Sequence, residues 1–141
     1  MRNVIDTNVW IDALSGKLSA DAFLKITVQA SWAGYSAITR LELFGLPGLE
    51  DEEEHKIVEL LKPFPEIPVD SKTIDRAILV RKSKRIKVPD AIIAATALEK
   101  ECSLITRNIE DFKGIAGLVV IDPHAFDNEG EAVPSAFPKV E

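Results

Sequence analysis

Apolar residues along the chain fall into short continuous runs that alternate with stretches of helical spacing. Continuous runs predict buried strands, and apolar residues recurring every three or four positions predict helices. The predicted strands cover residues 1–5, 32–36, 66–69, 103–106 and 118–121. The predicted helices cover residues 9–14, 22–30, 39–45, 50–61, 71–85 and 89–101. Within the helix at 71–85, we expect the inward face to carry Ile74, Ala77, Ile78 and Val80.

The alternation of strands and helices predicts an α/β fold. Strands that are apolar throughout are typical of parallel sheets covered on both faces. We therefore expect a three-layer α/β/α sandwich around a short, mostly parallel sheet, with ligands beyond the carboxyl ends of its strands. Residues 1–121 are predicted to form this one domain. Residues 122–141 contain three prolines and no apolar period, which indicates a C-terminal arm or a disordered tail.

Composition narrows the class of protein further. The chain has 141 residues, a usual length for one domain, and a single cysteine, Cys102. One cysteine excludes a disulfide framework and a multi-cysteine zinc site, and it favours the reducing cytoplasm. The densest apolar stretch, residues 91–98, is too short to cross a bilayer, so no membrane association is expected. An aspartate after only two apolar residues at the start argues against a signal peptide.

Charge is distributed unevenly along the chain. The formal net charge of −6 argues against nucleic-acid binding by bulk attraction alone. Five of the seven residues at 81–87 are nevertheless basic. Two interpretations stay open for this segment: a solvated helix face, or a group of phosphate-binding side chains. The candidate phosphate ligands are Arg81, Lys84, Arg85 and Lys87.

Acidic and amide side chains follow several of the predicted strands. Asp6 comes directly after the first strand, and Glu42 lies shortly after the second. Asp90 opens an almost wholly apolar helix, which must be buried. The segment after the fourth strand brings Asn108 and Asp111. Four separate segments thus deliver oxygen atoms to one edge of the predicted sheet.

Each of these residues also has a purely structural interpretation. Asp6 suits an Asx turn, Asp90 suits the first turn of a helix, and Thr39-x-x-Glu42 matches a capping box. Asp111, before Phe112, suits a cap or the end of a turn. These interpretations do not explain why all the residues follow strands. Crowded carboxylates repel one another unless a cation neutralises them. Hard oxygen ligands without a nearby histidine or thiol favour Mg²⁺ or Mn²⁺, and neither His55 nor His124 belongs to the set.

Four motifs in order along the chain carry a resemblance to a known family. They are Asp6-Thr7-Asn8, Thr39-x-x-Glu42-Leu43-x-x-Gly45, Pro89-Asp90-Ala91-x-Ile93-Ala94-Ala95-Thr96-Ala97 and Leu104-Ile105-Thr106-Arg107-Asn108-x-x-Asp111-Phe112. Together they resemble the PIN-domain ribonucleases, and most closely the toxins of VapBC-type toxin–antitoxin pairs. The resemblance runs from residue 1 to about residue 121.

The resemblance implies a Mg²⁺- or Mn²⁺-dependent endoribonuclease that cleaves RNA phosphodiesters with a metal-activated water. Carried over, Asp6, Glu42 and Asp90 are metal-binding and catalytic carboxylates. The fourth acidic position is divided, because some members have an aspartate where this chain has Asn108, and others keep the asparagine and a later Asp111. We include Asp111 in the catalytic set and both residues among the metal ligands. Asn8 and Thr106 are expected to position the site or the substrate.

Two other classes of function stay open. The first is a non-catalytic RNA- or protein-binding module on the same fold, which the amide at Asn108 favours. The second is a phospho-receiver signalling domain, with Asp70 after the third strand as the phosphoacceptor. Receivers, however, use a pair of adjacent acids after the first strand, and here Ile5 precedes Asp6.

The resemblance also implies partners besides RNA. We expect a small antitoxin protein and a homodimer. Exposed apolar patches mark such interfaces. The residues proposed to contribute to a patch are Trp10, Ile11, Leu14, Phe44, Leu46 and Leu49.

Overall fold

The computed structural model describes residues 1–127, which form five strands, seven α-helices and a 3₁₀ helix. The strands are β1 (Arg2–Ile5), β2 (Trp32–Ser36), β3 (Glu66–Ile67), β4 (Ser103–Ile105) and β5 (Val120–Ile121). The helices are α1 (Thr7–Leu14), α2 (Ala20–Ile26), α3 (Ala37–Phe44), α4 (Asp51–Leu61), α5 (Ser71–Ser83), α6 (Val88–Glu99) and α7 (Ile109–Phe112). The 3₁₀ helix is Pro123–Phe126.

All strands are parallel and lie in the order β3-β2-β1-β4-β5. β1 is central, with Val4 opposite Gly34 of β2 on one side and Leu104 of β4 on the other. The carboxyl ends of β1, β2 and β4 therefore meet at one edge of the sheet. The short strand β3 is one of the two outermost strands of the sheet and pairs only with β2, as expected for a strand flanked by prolines.

Helices cover both faces of the sheet, which confirms the predicted α/β/α sandwich. Ile5 and Ile105 face a core built with α1, α2 and α4, whereas Val4 and Leu104 face a core built with α5 and α6. Successive residues of one strand thus enter different cores, and this burial on both sides is why the strands are apolar throughout.

The buried face of α5 differs from the prediction. Ala77 and Val80 are buried as expected, but Ile74 and Ile78 are exposed. The buried row begins at Thr73 and follows the helical spacing of four and then three residues, so the isoleucines, one position further along, lie about 100° around the helix. The prediction included the two large isoleucines, although the residues of α5 that pack in the core are the smaller Thr73, Ala77 and Val80.

Three smaller differences concern element ends and burial. The helix predicted at 22–30 is α2, and it begins at its Ser19 cap and ends four residues early. The short helix α7 was not predicted. Trp10, placed in the apolar surface patch, is fully buried and contacts Phe23, Tyr35 and Phe64 edge-on or tilted.

The C-terminal segment begins in contact with the domain. Residues 123–126 form the 3₁₀ helix, and the partly buried Phe126 packs on the α1/α2 core. The predicted arm or tail at 122–141 otherwise lies outside the described residues. Within residues 1–127, no helix combines the length and apolar character needed to cross a bilayer.

Candidate active site

Asp6 lies at the carboxyl end of the central strand and is the N-cap of α1. Its backbone N–H donates to the carbonyl of Ile105 on the neighbouring strand at 2.9 Å. Its Oδ1 accepts from the backbone N–H of Thr7 at 2.8 Å. Asp6 thus caps α1 through Oδ1, a local role different from the predicted Asx turn, and its second carboxylate oxygen is left for other partners.

Neutral side chains hold that second oxygen. Oδ2 of Asp6 accepts from Oγ1 of Thr106 at 2.8 Å and from Nδ2 of Asn8 at 3.1 Å. Nδ2 of Asn8 also approaches Oγ1 of Thr106 at 3.3 Å. The two residues predicted to position the site therefore contact Asp6 directly. They fix its orientation without neutralising its charge.

Glu42 enters from α3, and its capping-box interpretation is wrong. The N-cap of α3 is Ser36, so Thr39 lies inside the helix. Oε1 of Glu42 instead accepts from Oγ1 of Thr7 at 2.7 Å. Oγ1 of Thr7 lies 2.9 Å from Oγ1 of Thr39. Since Thr7 has one hydroxyl proton and donates it to Glu42, Thr39 must donate to Thr7.

Asp90 and Asp111 face a common cavity on the other side of the site. Asp90 lies half-buried in the first turn of α6, and Asp111 is exposed on α7. They line an open cavity of about 460 Å³ together with Arg81, Arg85 and Lys87. The cavity thus joins two of the predicted acidic residues to three of the predicted phosphate ligands.

Burial and mutual repulsion perturb two of the carboxylates. Burial raises the pKa of Asp6 to about 6, with smaller contributions from the charges of Asp90 and Glu42, although its hydrogen bonds oppose the change. Burial likewise raises the pKa of Asp90, helped by Asp111 and Glu42 and opposed by Lys87. Asp90 therefore lies within electrostatic reach of the other three acidic residues.

Asn108 lies between Thr106 and α7. Its backbone N–H donates to Oγ1 of Thr106 at 3.1 Å, and its carbonyl accepts from the N–H of Asp111 at 3.2 Å. The backbone of Asn108 thus links the threonine that holds Asp6 to the aspartate of the cavity. Both candidates for the fourth acidic position belong to the same turn.

The carboxylates suit a hard divalent cation by their chemistry. In residues 1–127, no three His, Cys, Asp or Glu side chains are gathered closely enough to hold a metal ion as they stand. The candidate ligand atoms of Asp6, Glu42, Asp90 and Asp111 are nevertheless all carboxylate oxygens. Burial, with a smaller contribution from the mutual repulsion of these carboxylates, raises the pKa values of Asp6 and Asp90. Such a set of oxygen ligands fits Mg²⁺ or Mn²⁺, and a bound cation would reduce the repulsion between the carboxylates.

Two of the predicted phosphate ligands already bind backbone atoms. Nζ of Lys84 donates to the carbonyls of Glu110 and Lys113, at 3.2 and 2.6 Å. Nε of Arg81 donates to the carbonyl of Ile86 at 3.2 Å. Arg81 still lines the cavity beside Asp90, whereas Lys84 does not. The basic segment is therefore divided between a structural lysine and cavity-lining arginines.

A second polar cluster, which was not predicted from the sequence, lies beside the site. The side chain of Asp12, almost fully buried on α1, contacts Arg107 and His124. The available signal was its spacing of four residues from Asn8, which puts both on one face of α1. The partners are distant in sequence, and nothing in the pattern indicated them.

Asp70 does not fit the phosphoacceptor of a receiver domain. Its Oδ1 caps α5, accepting from N–H and Oγ1 of Thr73 at 2.9 Å each. Asp70 follows β3 at the margin of the sheet, and β2 separates that strand from β1 and Asp6.

Solved structures similar to this chain include three bacterial complexes. A toxin–antitoxin complex from Klebsiella pneumoniae is 33% identical, with a TM-score of 0.71, over 86% of this chain and 97% of that one. FitAcB from Neisseria gonorrhoeae is 26% identical, with a TM-score of 0.69, over 86% and 97%. DNA-bound VapBC from Salmonella typhimurium shares the fold, with 21% identity and a TM-score of 0.74 over 87% and 98%.

None of the curated proteins compared with the chain matches it. The PIN domain family model, in contrast, matches residues 4–118, a stretch that contains Asp6, Glu42, Asp90 and Asp111. This match extends over most of the sequence and agrees with the parallel sheet and the acidic edge described above. The chain therefore belongs to the PIN domain family.

Proposed function

We propose that the protein is a metal-dependent endoribonuclease and the toxin of a toxin–antitoxin pair. One observation carries the catalytic part of the proposal: carboxylates from separate segments share one sheet edge, and the hydrogen-bond partners of Asp6 are neutral donors. A cluster of acids that the fold itself does not neutralise is suited to binding cations. Membership of the PIN domain family supports nuclease chemistry at this edge.

Asp6, Glu42 and Asp90 would hold the metal, with Asp111 or Asn108 completing the set. Bound Mg²⁺ or Mn²⁺ would supply a lowered pKa for water and a positive charge beside the scissile phosphate. Thr7 orients Glu42, and Thr106 and Asn8 orient Asp6, so these ligands lose little conformational freedom on binding.

The cavity beside Asp90 supplies a place for the RNA backbone. Arg81, Arg85 and Lys87 line it and carry the charge that phosphate groups require. These basic side chains lie next to the acidic edge. One phosphodiester of the RNA could therefore approach Asp90 while the adjacent phosphate groups of the RNA bind the basic side chains. The choice of RNA as the substrate rests on the resemblance of the four motifs to ribonucleases.

The test is cleavage of single-stranded RNA by the purified protein. We expect cleavage with Mg²⁺ or Mn²⁺, none with excess chelator, and none by the Asp90→Asn variant. The matched control is Glu99→Gln, because Glu99 lies on the same helix but pairs with Arg76 outside the site at 2.8 Å. RNA bound by the parent protein but left intact with either metal would favour the non-catalytic binding module.

An apolar cavity on α1, α3 and α4 supports the proposed antitoxin partner. It has a volume of about 130 Å³, and its apolar lining is Ile11, Leu14, Leu43, Leu46, Leu49 and Ile57. Ile11 and Leu46 are exposed at its mouth, and the acidic Glu53 lies at its edge. We propose that an antitoxin segment with apolar and basic residues binds here.

Co-expression with a small protein encoded beside the toxin gene tests this partner. The pair should co-purify, and Leu46→Asp should abolish co-purification while leaving RNA cleavage unchanged. Val58→Asp is the control, because it places the same charge at another exposed apolar position, on α4. Equal loss with both variants would remove the cavity from the proposal.

The proposed homodimer has a separate test. Exposed Leu41 on α3 and exposed Ile74 and Ile78 on α5 supply apolar surface outside the proposed antitoxin cavity. Light scattering at tens of micromolar should give twice the monomer mass for the parent protein. A monomer mass under those conditions would contradict the dimer.

A further inference from the structure

The cluster around Asp12 connects the candidate site to the C-terminal segment. The side chain of Asp12 is 2% exposed, and both of its oxygens are engaged. Oδ1 accepts from Nη1 of Arg107 at 2.9 Å. Oδ2 lies 3.0 Å from Nε2 of His124. A buried carboxylate with two such partners is compensated where it stands.

Arg107 is held by two hydrogen bonds to α1, one from its side chain and one from its backbone N–H. Its side chain reaches Asp12, and its backbone N–H donates to Oδ1 of Asn8 at 3.1 Å. Asn8 and Asp12 are one turn apart on α1, so they hold the same residue from one helix face. Arg107 lies between Thr106, which donates to Asp6, and Asn108, which leads to α7. Whatever fixes Arg107 therefore fixes the turn on which Asp6 depends.

His124 secures Asp12 from the opposite side. Its Nδ1 lies 3.0 Å from Oδ2 of Asp127, whose Oδ1 accepts from the N–H of Ser19, the N-cap of α2. Both ring nitrogens of His124 thus face carboxylate oxygens, which only accept hydrogen bonds when ionised, so both contacts are hydrogen bonds only when the ring is protonated. The 3₁₀ helix is tied by this ring to α1.

We propose that Asp12 and Arg107 are positioning residues for the carboxylate site, with His124 holding Asp12 in place. The ion pair fixes the turn of residues 106–108, and this turn fixes Thr106 against Asp6 and Asn108 beside Asp111. The proposal rests on the proposed nuclease function for its catalytic consequence only. Its structural part, the anchoring of the turn, is tested without any reaction.

Amide hydrogen exchange tests the anchoring directly. Arg107→Gln removes the cation, and we expect exchange at residues 107 and 108 to become about tenfold faster, the effect of losing one charge-assisted hydrogen bond. The sheet amides of Asp6 and Thr106, which donate to Ile105 and Ile121, should be unchanged. Arg107→Lys keeps the cation and should restore most of the protection.

Arg76→Gln is the matched control, since Arg76 and Arg107 are similarly exposed, at 43% and 46%, and each pairs with one carboxylate. It should leave exchange at residues 107 and 108 unchanged. Faster exchange throughout the sheet in Arg107→Gln would show general destabilisation and overturn the proposal. Unchanged exchange at residues 107 and 108 would overturn it equally.

Steady-state cleavage then separates positioning from direct RNA contact. Asp12→Asn acts on a buried group that RNA does not reach, and Arg107→Gln acts on its partner. Both should lower kcat about 10- to 100-fold, as loss of an outer partner of a metal ligand does, with KM little changed. A raised KM with unchanged kcat in Arg107→Gln alone would make Arg107 a phosphate ligand and contradict positioning. If the parent protein cleaves nothing, the exchange result still decides the anchoring.

Discussion

Two aspartates on the first helical segment contrast in how the fold treats a buried charge. As whole residues, Asp6 and Asp12 are 4% and 1% exposed, so both have lost most of their hydration. The hydrogen-bond donors to Asp6 are a backbone amide, an asparagine and a threonine, and its charged neighbours Asp90 and Glu42 are acidic. Asp12 contacts a guanidinium and an imidazole.

The contrast distinguishes a carboxylate that the fold neutralises from one that it does not. A buried carboxylate that the fold pairs with its own cations is satisfied by folding. One that is oriented precisely but not neutralised destabilises the folded chain, and its pKa rises as a result. Asp6 fulfils the second description, which supports the proposed cation site at the acidic edge. Burial alone does not separate the two residues.

The largest expected difference between the two aspartates is in catalysis. Asp6→Asn should lower RNA cleavage by more than about 100-fold, because even outer partners of metal ligands contribute 10- to 100-fold. Asp12→Asn should lower cleavage by less. The measurement is single-turnover cleavage with saturating Mn²⁺. Loss of activity in Asp12→Asn equal to or greater than that in Asp6→Asn would break the assignment of their roles.

The second difference is in stability and its pH dependence. The pKa of Asp6 is about 6 in the folded chain, against 3.8 for an aspartate exposed to water, so ionisation of Asp6 disfavours folding. The parent protein should therefore lose stability as pH rises from about 4 to 6, by up to about 3 kcal/mol. Asp6→Asn lacks this loss. We expect it to be at least as stable as the parent at pH 7, and no more stable below pH 4.

Urea unfolding at a series of pH values measures this effect. Asp21→Asn is the control, because it removes a carboxylate from a partly exposed i,i+4 pair with Lys25 at 3.1 Å and leaves Asp6 in place. The loss of stability between pH 4 and 6 should therefore persist in this variant. If Asp6 only caps α1, its replacement should cost about 1 kcal/mol at neutral pH. A destabilised Asp6→Asn at pH 7 would thus contradict an uncompensated charge.

The third difference is the response to metal in thermal unfolding. Mn²⁺ at a hundredfold excess over its Kd should stabilise the parent protein by about 2.7 kcal/mol through mass action. Asp6→Asn and Asp90→Asn should gain much less, because each lacks a proposed ligand. Asp12→Asn should keep most of the gain. An equal rise of Tm in parent, Asp6→Asn and Asp90→Asn would exclude these aspartates from the metal site.

The fold was accessible from sequence because its signals are local. Strands buried on both faces give continuous apolar runs, and Trp32–Ser36 was predicted at its observed ends. The capping glutamate and acidic first turn of α4 agree with the predicted start of that helix. At α5 the apolar pattern correctly predicted that Ala77 and Val80 are buried, but it wrongly included the exposed Ile74 and Ile78 in the same face.

The candidate site was only partly accessible from sequence. Asp6, Glu42 and Asp90 were proposed because they follow strands or begin a buried helix, and topology brings such positions to one edge. The ties between Asp12, Arg107 and His124 depend on side-chain contacts across 95 or more residues of sequence. Thr39-x-x-Glu42 shows the opposite case, because its residues match a capping box in sequence but do not form one. Both side chains instead contact Oγ1 of Thr7.

The smallest expected effect concerns the cations nearest the uncompensated acids. Arg81 and Arg85 line the cavity with Asp90, whereas Lys84 donates to two backbone carbonyls. Each arginine that binds a phosphate should contribute about 0.7 to the slope of log K against log salt for single-stranded RNA. Arg81→Ala and Arg85→Ala should each reduce the slope by about that amount, while Lys84→Ala should change it less.

Fluorescence anisotropy with chelator present measures RNA binding without cleavage. Asp12 does not line the cavity beside Asp90, so Asp12→Asn should change the slope less than either arginine variant. Unchanged slopes in both arginine variants would reduce the basic segment to a solvated helix face, and an equal reduction by Lys84→Ala would remove the distinction between a structural lysine and phosphate-binding arginines.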